Sequence, residues 1–131
     1  MQTVVDTDFL SAFLKIYRLE LIYEALETDK LYITQAVFEE LTKAPFFDRL
    51  AEYMEKIELI GIDKLHKNVQ SAILGKGELE SISYALETKS VLLTNDKKAG
   101  EFAEDSGVKV LVQGNRFTQR GRHKKYNGFI K

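Results

Sequence analysis

Two carboxylates, Glu78 and Asp96, lie eighteen positions apart on a stretch whose pattern predicts their separation in space. Between them the sequence predicts a helix from Glu78, with apolar residues at helical spacing, and then a buried strand over Ser90–Thr94. A helix of about ten residues rises roughly 15 Å, and a strand of about five residues returns roughly 16 Å. We therefore expect both carboxylates near one edge of a sheet, at the carboxyl end of the strand, where open α/β sheets bind ligands.

Two more acidic residues are expected at the same edge. Asp6 directly follows the first predicted strand, and Glu40 lies in the second turn of the helix that follows the second strand. Because parallel strands all end at one edge, Asp6 and Glu40 should converge there with Glu78 and Asp96. Crowded carboxylates raise each other's pKa values unless a cation lies among them. An oxygen-only set suits Mg²⁺ or Mn²⁺, so the hypothesis is metal-dependent hydrolysis of phosphodiesters.

Each of these acids also has a purely structural interpretation. Asp6, or Asp8 beside it, is an ordinary turn former or helix cap, and Asp96 can cap the helix that follows it. Glu78 in a first turn is favoured by the helix dipole, and at least one of Glu39–Glu40 belongs to a solvated face. For each acid alone the structural interpretation is preferred. For four acids at one predicted edge the functional interpretation is preferred.

The expected convergence depends on strands that alternate with helices. The predicted strands are Gln2–Val5, Leu31–Thr34, Ile57–Ile60, Ser90–Thr94 and Val108–Val112. The predicted helices are Phe9–Ile16, Leu19–Glu27, Gln35–Lys43, Phe46–Lys56, Asp63 to about Leu74, a helix from Glu78, and Lys97–Asp105. This alternation predicts an α/β fold with a mainly parallel five-stranded sheet and helices on both faces.

The composition restricts the class of protein. With 131 residues, 44% of them hydrophobic, the chain is long enough for one domain with a real core and too short for two. No apolar run approaches the roughly 20 residues of a membrane span, and a signal-peptide pattern is lacking at the N-terminus. The absence of cysteine excludes disulfides, cysteine-based zinc sites and thiol catalysis, and fits a reducing cytoplasm.

Charge is distributed unevenly along the chain. The last sixteen residues hold six basic and no acidic side chains, which leaves thirteen basic and twenty acidic residues over positions 1–115. A basic segment on an acidic body suggests an anionic partner such as nucleic acid. A solvated terminus that keeps the protein soluble explains the same charge equally well.

Three segments resemble the PIN-domain nucleases, especially the small prokaryotic toxin ribonucleases of the VapC type. VVDTDFL is similar to that family's first strand and acid, and ITQAVFEEL to its second-acid helix. GELESISYALETKSVLLTNDKKA is similar to the third acid, its helix, the fourth strand and the fourth acid. The resemblance covers about Thr3 to Val112. It implies a three-layer α/β/α, Rossmann-like PIN domain, which we place at residues 1–115. The basic C-terminal tail over 116–131 has no firm counterpart in the family, and its role stays open.

The resemblance also assigns roles to particular residues. It implies four metal-binding acids: Asp6, Glu40, Glu78 and Asp96. Small hydroxyls that border the site correspond to Thr7 and Thr94, and Asp8 stands where the family commonly has Asn or Ser. The implied activity is a Mg²⁺- or Mn²⁺-dependent endoribonuclease acting on RNA. The family often forms homodimers and pairs with a protein antitoxin.

Two other functions remain open at this point. A non-catalytic RNA-binding or scaffold PIN domain would use the basic tail for affinity, and its binding would weaken steeply with salt. A doubly wound phosphoacceptor signalling domain would use one strand-end Asp beside further acids and a Lys. The second is disfavoured, because neither the expected acid pair after strand one nor the strand-five Lys is evident.

Overall fold

The computed structural model of the chain describes residues 2–111. Its strands are β1 (Thr3–Val5), β2 (Leu31–Thr34), β3 (Ile57–Ile60), β4 (Val91–Leu93) and β5 (Lys109–Leu111). Its α-helices are α1 (Thr7–Lys15), α2 (Glu20–Leu26), α3 (Gln35–Thr42), α4 (Lys76–Thr88) and α5 (Lys97–Asp105). A 3-10 helix spans Phe47–Lys56. The predicted alternation of strands and helices is confirmed.

The five strands form one parallel sheet in the order β3-β2-β1-β4-β5. From β1 the chain moves outward to β2 and β3, and it then returns to the other side of β1 to form β4 and β5. The strand order therefore reverses between β1 and β4, which pair with Val5 opposite Leu93. In open α/β sheets the crevice beyond the carboxyl ends of two such strands is the usual ligand site.

Helices cover both faces of this sheet. Successive strand residues point to opposite faces, so Val5 and Leu93 enter one core while Val4 and Leu92 enter the other. The first core is completed by α1, α2, α3 and the 3-10 helix, and the second by α4 and α5. The result is the predicted three-layer α/β/α arrangement.

Local capping explains several helix boundaries. Thr34 caps α3, because its Oγ1 accepts a hydrogen bond from the Val37 amide at 3.4 Å. Asp96 caps α5 through Oδ1, which accepts from the Ala99 amide at 2.8 Å. Helix α1 begins at Thr7, two residues earlier than predicted, because Asp6 acts as its N-cap.

The predicted break after the first helix is confirmed at Tyr17, whose φ of 59° lies in the left-handed region. The fourth predicted helix is present, but it has 3-10 geometry over Phe47–Lys56. The predictions for β2, β3 and α5 match the observed bounds.

The helix predicted from Asp63 to about Leu74 is wrong, because residues 61–75 form turns and irregular backbone. Side chains replace helical partners there. The His66 amide donates to Ser83 Oγ at 2.6 Å, and the Asn68 amide donates to His66 Nδ1 at 3.1 Å. Ile73 is 86% exposed, so the apolar residues of this stretch do not share one buried face.

No helix within residues 2–111 is both long and apolar enough to cross a bilayer. The predicted last residue of strand five, Val112, and the basic tail over 116–131 lie outside the described residues.

Candidate active site

Asp6 occupies the position directly after β1 and is almost completely buried, with 3% of its surface exposed. Its Oδ1 accepts a hydrogen bond from the Thr7 amide at 2.8 Å, and its Oδ2 accepts one from Thr94 Oγ1 at 3.1 Å. Both carboxylate oxygens are therefore held by the ends of two adjacent strands. Asp6 is a helix cap and a candidate functional residue at the same time.

Thr94 connects Asp6 to the next acid along the edge. Its hydroxyl is fully buried, donates to Asp6 and accepts a hydrogen bond from the Asp96 amide at 3.1 Å. Because β1 and β4 are neighbours in the sheet, this single hydroxyl fixes the side chain of one acid and the backbone of the other.

Thr7 connects the same region to the second-acid helix. Its Oγ1 donates a hydrogen bond to Oε1 of Glu40, thirty-three positions away in α3. Thr7 and Thr94, expected to border the site, thus lie on either side of Asp6 and orient Glu40 and Asp96.

Glu78 and Asp96 form a second pair. Glu78 lies in the first turn of α4 and accepts a hydrogen bond from the Gly75 amide at 3.0 Å. A hydrogen bond between the two carboxyl groups requires a shared proton. Burial, the hydrogen bond with the Asp96 carboxyl group and the charges of Asp6 and Asp96 raise the pKa of Glu78 to about 7, although the hydrogen bond from the Gly75 amide lowers it. Hydrogen bonds, first that from the Ala99 amide, lower the pKa of Asp96.

The electrostatics of Asp6 reflect the same crowding. Burial raises its pKa to about 6, against hydrogen bonds from Thr7 and Thr94 that lower it, and the charges of Asp8 and Glu40 raise it further. The four predicted acids therefore share one local field at the carboxyl edge of the sheet, and Asp8 lies close enough to contribute.

The donor set suits a hard divalent cation, because it consists of carboxylate and hydroxyl oxygens around a buried acid. Glu40 accepts its hydrogen bond from Thr7, the residue next to Asp6, and Glu78 is hydrogen-bonded to Asp96. Among residues 2–111, no three acidic or histidine side chains are arranged as they stand to hold one metal ion. The chemical types of the residues fit such a cation.

Two features of the site were missed by sequence reasoning. Glu80, two residues after Glu78, is buried and accepts a hydrogen bond from the Ala36 amide at 3.0 Å. Gly77 precedes the predicted start of this helix but lies within α4, and a Cβ atom there would lie 2.7 Å from Oε1 of Glu40. The only sequence signal for Glu80 is its helical spacing from Gly77, which places both on one side of α4.

The family model described as a PIN domain, DUF3368, matches residues 2–112. The chain therefore belongs to the PIN domain family, as the resemblance of its segments implied. PIN domains are generally nucleases and typically use divalent metals. A search of curated proteins finds no sequence relative at a significant level.

Solved structures share the fold at low sequence identity. A PilT N-terminus domain protein from Sulfolobus solfataricus is 20% identical, with a TM-score of 0.62 over 86% of this chain and 87% of that chain. The VapBC2 structure from Rickettsia felis, bound to a DNA fragment from its promoter, gives 15% identity and a TM-score of 0.62 over 86% and 98%. A domain of a functionally unknown protein from Methanocaldococcus jannaschii is 23% identical, with a TM-score of 0.60 over 86% of this chain and 91% of that chain.

Proposed function

We propose that this PIN domain is a Mg²⁺- or Mn²⁺-dependent endoribonuclease that hydrolyses RNA phosphodiester bonds, and that it acts as the toxin of a toxin-antitoxin pair. One observation carries the catalytic part of this proposal. Thr94 donates a hydrogen bond to the Asp6 carboxylate and accepts one from the Asp96 amide, and Thr7, next to Asp6, donates one to Glu40. These contacts bring together acids that are spread over ninety residues of sequence.

In this proposal Asp6 and Asp96 hold the cation, and Glu40 and Glu78 complete the set or position the attacking water. The cation, when bound, offsets charge on the scissile phosphate and activates water for in-line attack. The chain itself orients the acids: Thr94 holds the carboxylate of Asp6, and the α5 cap holds that of Asp96. Preorganisation of this kind reduces the movement required when substrate binds.

The first test measures cleavage of a mixed RNA pool by the wild-type protein, Asp6→Asn and Asp96→Asn, with Mn²⁺ and with EDTA. We expect cleavage by the wild type alone, abolished by EDTA, with both variants folded by circular dichroism. Unchanged cleavage in either variant would show that the assigned acid is not required.

The adjacent acids of α3 provide a matched control. Glu39 and Glu40 are both exposed and carry the same charge, but Glu40 accepts the hydrogen bond from Thr7 while Glu39 accepts one from Gln35, within its own helix. We expect Glu40→Gln to reduce cleavage at least tenfold and Glu39→Gln to leave it within twofold of wild type. Equal effects of the two substitutions on cleavage would show that Glu40 has no role that Glu39 lacks.

Further parts of the proposal concern partners and domain limits. The likeness in fold to the VapBC2 structure supports a protein antitoxin as partner. We propose that residues 1–115 form the nuclease domain, that the basic tail over 116–131 contacts RNA, and that the chain forms a homodimer. Light scattering after size exclusion tests the dimer, and loss of cleavage on co-purification with a small protein encoded by a neighbouring gene tests the pair.

A second candidate is a non-catalytic RNA-binding PIN domain. The observation that favours it is that, within residues 2–111, no three acidic or histidine side chains are arranged to hold one metal ion. This candidate predicts RNA binding with a steep salt dependence and no difference between Mn²⁺ and EDTA. If neither the wild type nor Asp96→Asn cleaves RNA but both still bind it, the non-catalytic function would be established.

A further inference from the structure

The first turn of α3 is held by a residue from another helix. The first N–H groups of an α-helix have no partner within the helix. Thr34 accepts from the Val37 amide, and Glu80 of α4 accepts from the Ala36 amide at 3.0 Å. Glu80 is 8% exposed, so its carboxylate is held inside the interface between the two helices. A buried carboxylate is retained only where such partners satisfy it.

A second contact lies one turn further along α3. Glu40 follows Ala36 by four residues and therefore lies on the same face of α3. Its carboxylate lies so close to Gly77 that a Cβ atom on Gly77 would be 2.7 Å from Oε1. Gly77 precedes Glu80 by three residues, again on one face. The two contacts pair Ala36 with Glu80 and Glu40 with Gly77, so the helices are locally antiparallel.

We infer that Glu80 is a positioning residue, whose buried carboxylate locks the first turn of α3 onto α4 and thereby fixes the Glu40 carboxylate against the turn that carries Glu78. Glu80 does not contact the substrate or the cation in this role. Its effect passes through the placement of two proposed metal ligands on two different helices. This inference rests on the proposed function. Partners that orient metal ligands typically contribute about 10- to 100-fold to metal affinity or activity.

Two substitutions test separately whether the role of Glu80 depends on the reach of its side chain or on its negative charge. Glu80→Gln keeps an oxygen at the same distance, whereas Glu80→Asp keeps the charge but withdraws the oxygen by about one bond length, roughly 1.5 Å. Glu87→Asp is the matched control, because Glu87 is an exposed glutamate on the same helix. The positioning role requires Gln to substitute for Glu80 and Asp to fail.

The experiment measures Mn²⁺ binding by calorimetry without RNA, amide exchange at Ala36 by NMR, and kcat and KM for RNA cleavage. For Glu80→Asp we expect about tenfold weaker Mn²⁺ binding, fast exchange at Ala36, and a kcat reduced at least tenfold with KM within twofold. Glu80→Gln and Glu87→Asp should stay within about threefold of wild type in Mn²⁺ affinity and kcat. A residue that serves stability alone would lower Tm and leave both quantities unchanged.

The outcomes distinguish the two proposals. Wild-type Mn²⁺ binding together with undiminished binding by Glu80→Asp overturns the positioning role only. A loss in Glu80→Gln as large as that in Glu80→Asp also overturns it, because the acceptor would then not be the cause. Absence of Mn²⁺ binding by the wild-type chain overturns the proposed function, and the positioning role with it.

Discussion

Asp6 is the acid whose surroundings oppose a negative charge most clearly. It is almost fully buried, and its pKa is raised from 3.8 to about 6. A raised pKa means that the folded chain holds a proton which the unfolded chain has released. Ionising the buried Asp6 lowers the free energy of unfolding. This loss is absent below pH 4, grows as the pH rises to about 6, and is constant above that, where it amounts to about 3 kcal/mol.

We therefore expect Asp6→Asn to be more stable than wild type in EDTA at pH 7.5, and to lose this advantage at pH 4. Asn remains a good N-cap, so α1 keeps its start. Urea unfolding at both pH values measures the difference, with the exposed Asp29→Asn as control. Equal stability of wild type and Asp6→Asn at pH 7.5 would show that Asp6 is not strained by its burial.

At the residue scale the sequence indicated the acids but not their supports. Asp6 and Asp96 could be assigned because each follows a strand, and strand ends in a parallel sheet meet at one edge. The role of Glu80 could not be predicted, because its partner is a backbone amide forty-four positions away, and a glutamate two residues after Glu78 looks like part of a solvated helix start.

At the scale of elements, the contact between α3 and α4 depends on Gly77 having no side chain. A Cβ atom at Gly77 would meet the Glu40 carboxylate at 2.7 Å, whereas one at Gly75 would meet Glu78 Oε1 at an ordinary 3.5 Å. Because the crowded atom ends a flexible side chain, the carboxylate can move aside without disrupting the fold. Ala is also favoured over Gly within a helix by about 1 kcal/mol.

We expect Gly77→Ala to stay folded and to lose at least tenfold in cleavage, while Gly75→Ala keeps its activity. Thermal unfolding and RNA cleavage of both variants check this. Full activity of Gly77→Ala would show that Glu40 need not lie against α4.

The end of α1 is held from outside by Arg49 of the 3-10 helix. Its Nη1 donates to the carbonyl oxygens of Leu14 and Lys15 at 2.9 and 2.8 Å, and its guanidinium lies 3.6 Å from the centre of the Tyr17 ring. We expect Arg49→Ala to lower the free energy of unfolding by about 1–3 kcal/mol without changing kcat. Lys cannot provide both the stacking and the paired donors, so Arg49→Lys should be destabilised as well. Urea titration and cleavage assays measure these effects, and a lower kcat in folded Arg49→Ala would contradict them.

Element boundaries were predictable where a cap or a breaker stands in the sequence. Thr34 and Asp96 start their helices where expected, and Tyr17 divides the first two helices. The stretch 61–75 was not predictable, because the amide of His66 donates its hydrogen bond to Ser83 of the following helix, α4. Apolar spacing alone carries no information about such long-range partners.

At the scale of the whole molecule, the charge on residues 116–131 should determine affinity for RNA rather than catalysis. Neutralising up to six phosphates of a single strand gives a slope of about −4 in log affinity against log salt. We expect glutamine at all six basic positions to flatten this slope and weaken RNA binding, with cleavage at saturating RNA unchanged. Filter binding between 50 and 300 mM salt measures it, and an unchanged slope would assign binding to the body of the chain. The six positions are Arg116, Arg120, Arg122, Lys124, Lys125 and Lys131.

The hydrogen bond from Thr94 to Asp6 spans 88 positions, because β1 has β4 as its neighbour in the sheet. During synthesis the first acid leaves the ribosome long before the strand that completes its surroundings. A nascent chain that ends before β4 lacks Thr94 and Asp96, and its first strand has an open edge. The proposed nuclease would therefore lack part of its set of acids until almost all of the described fold has been made.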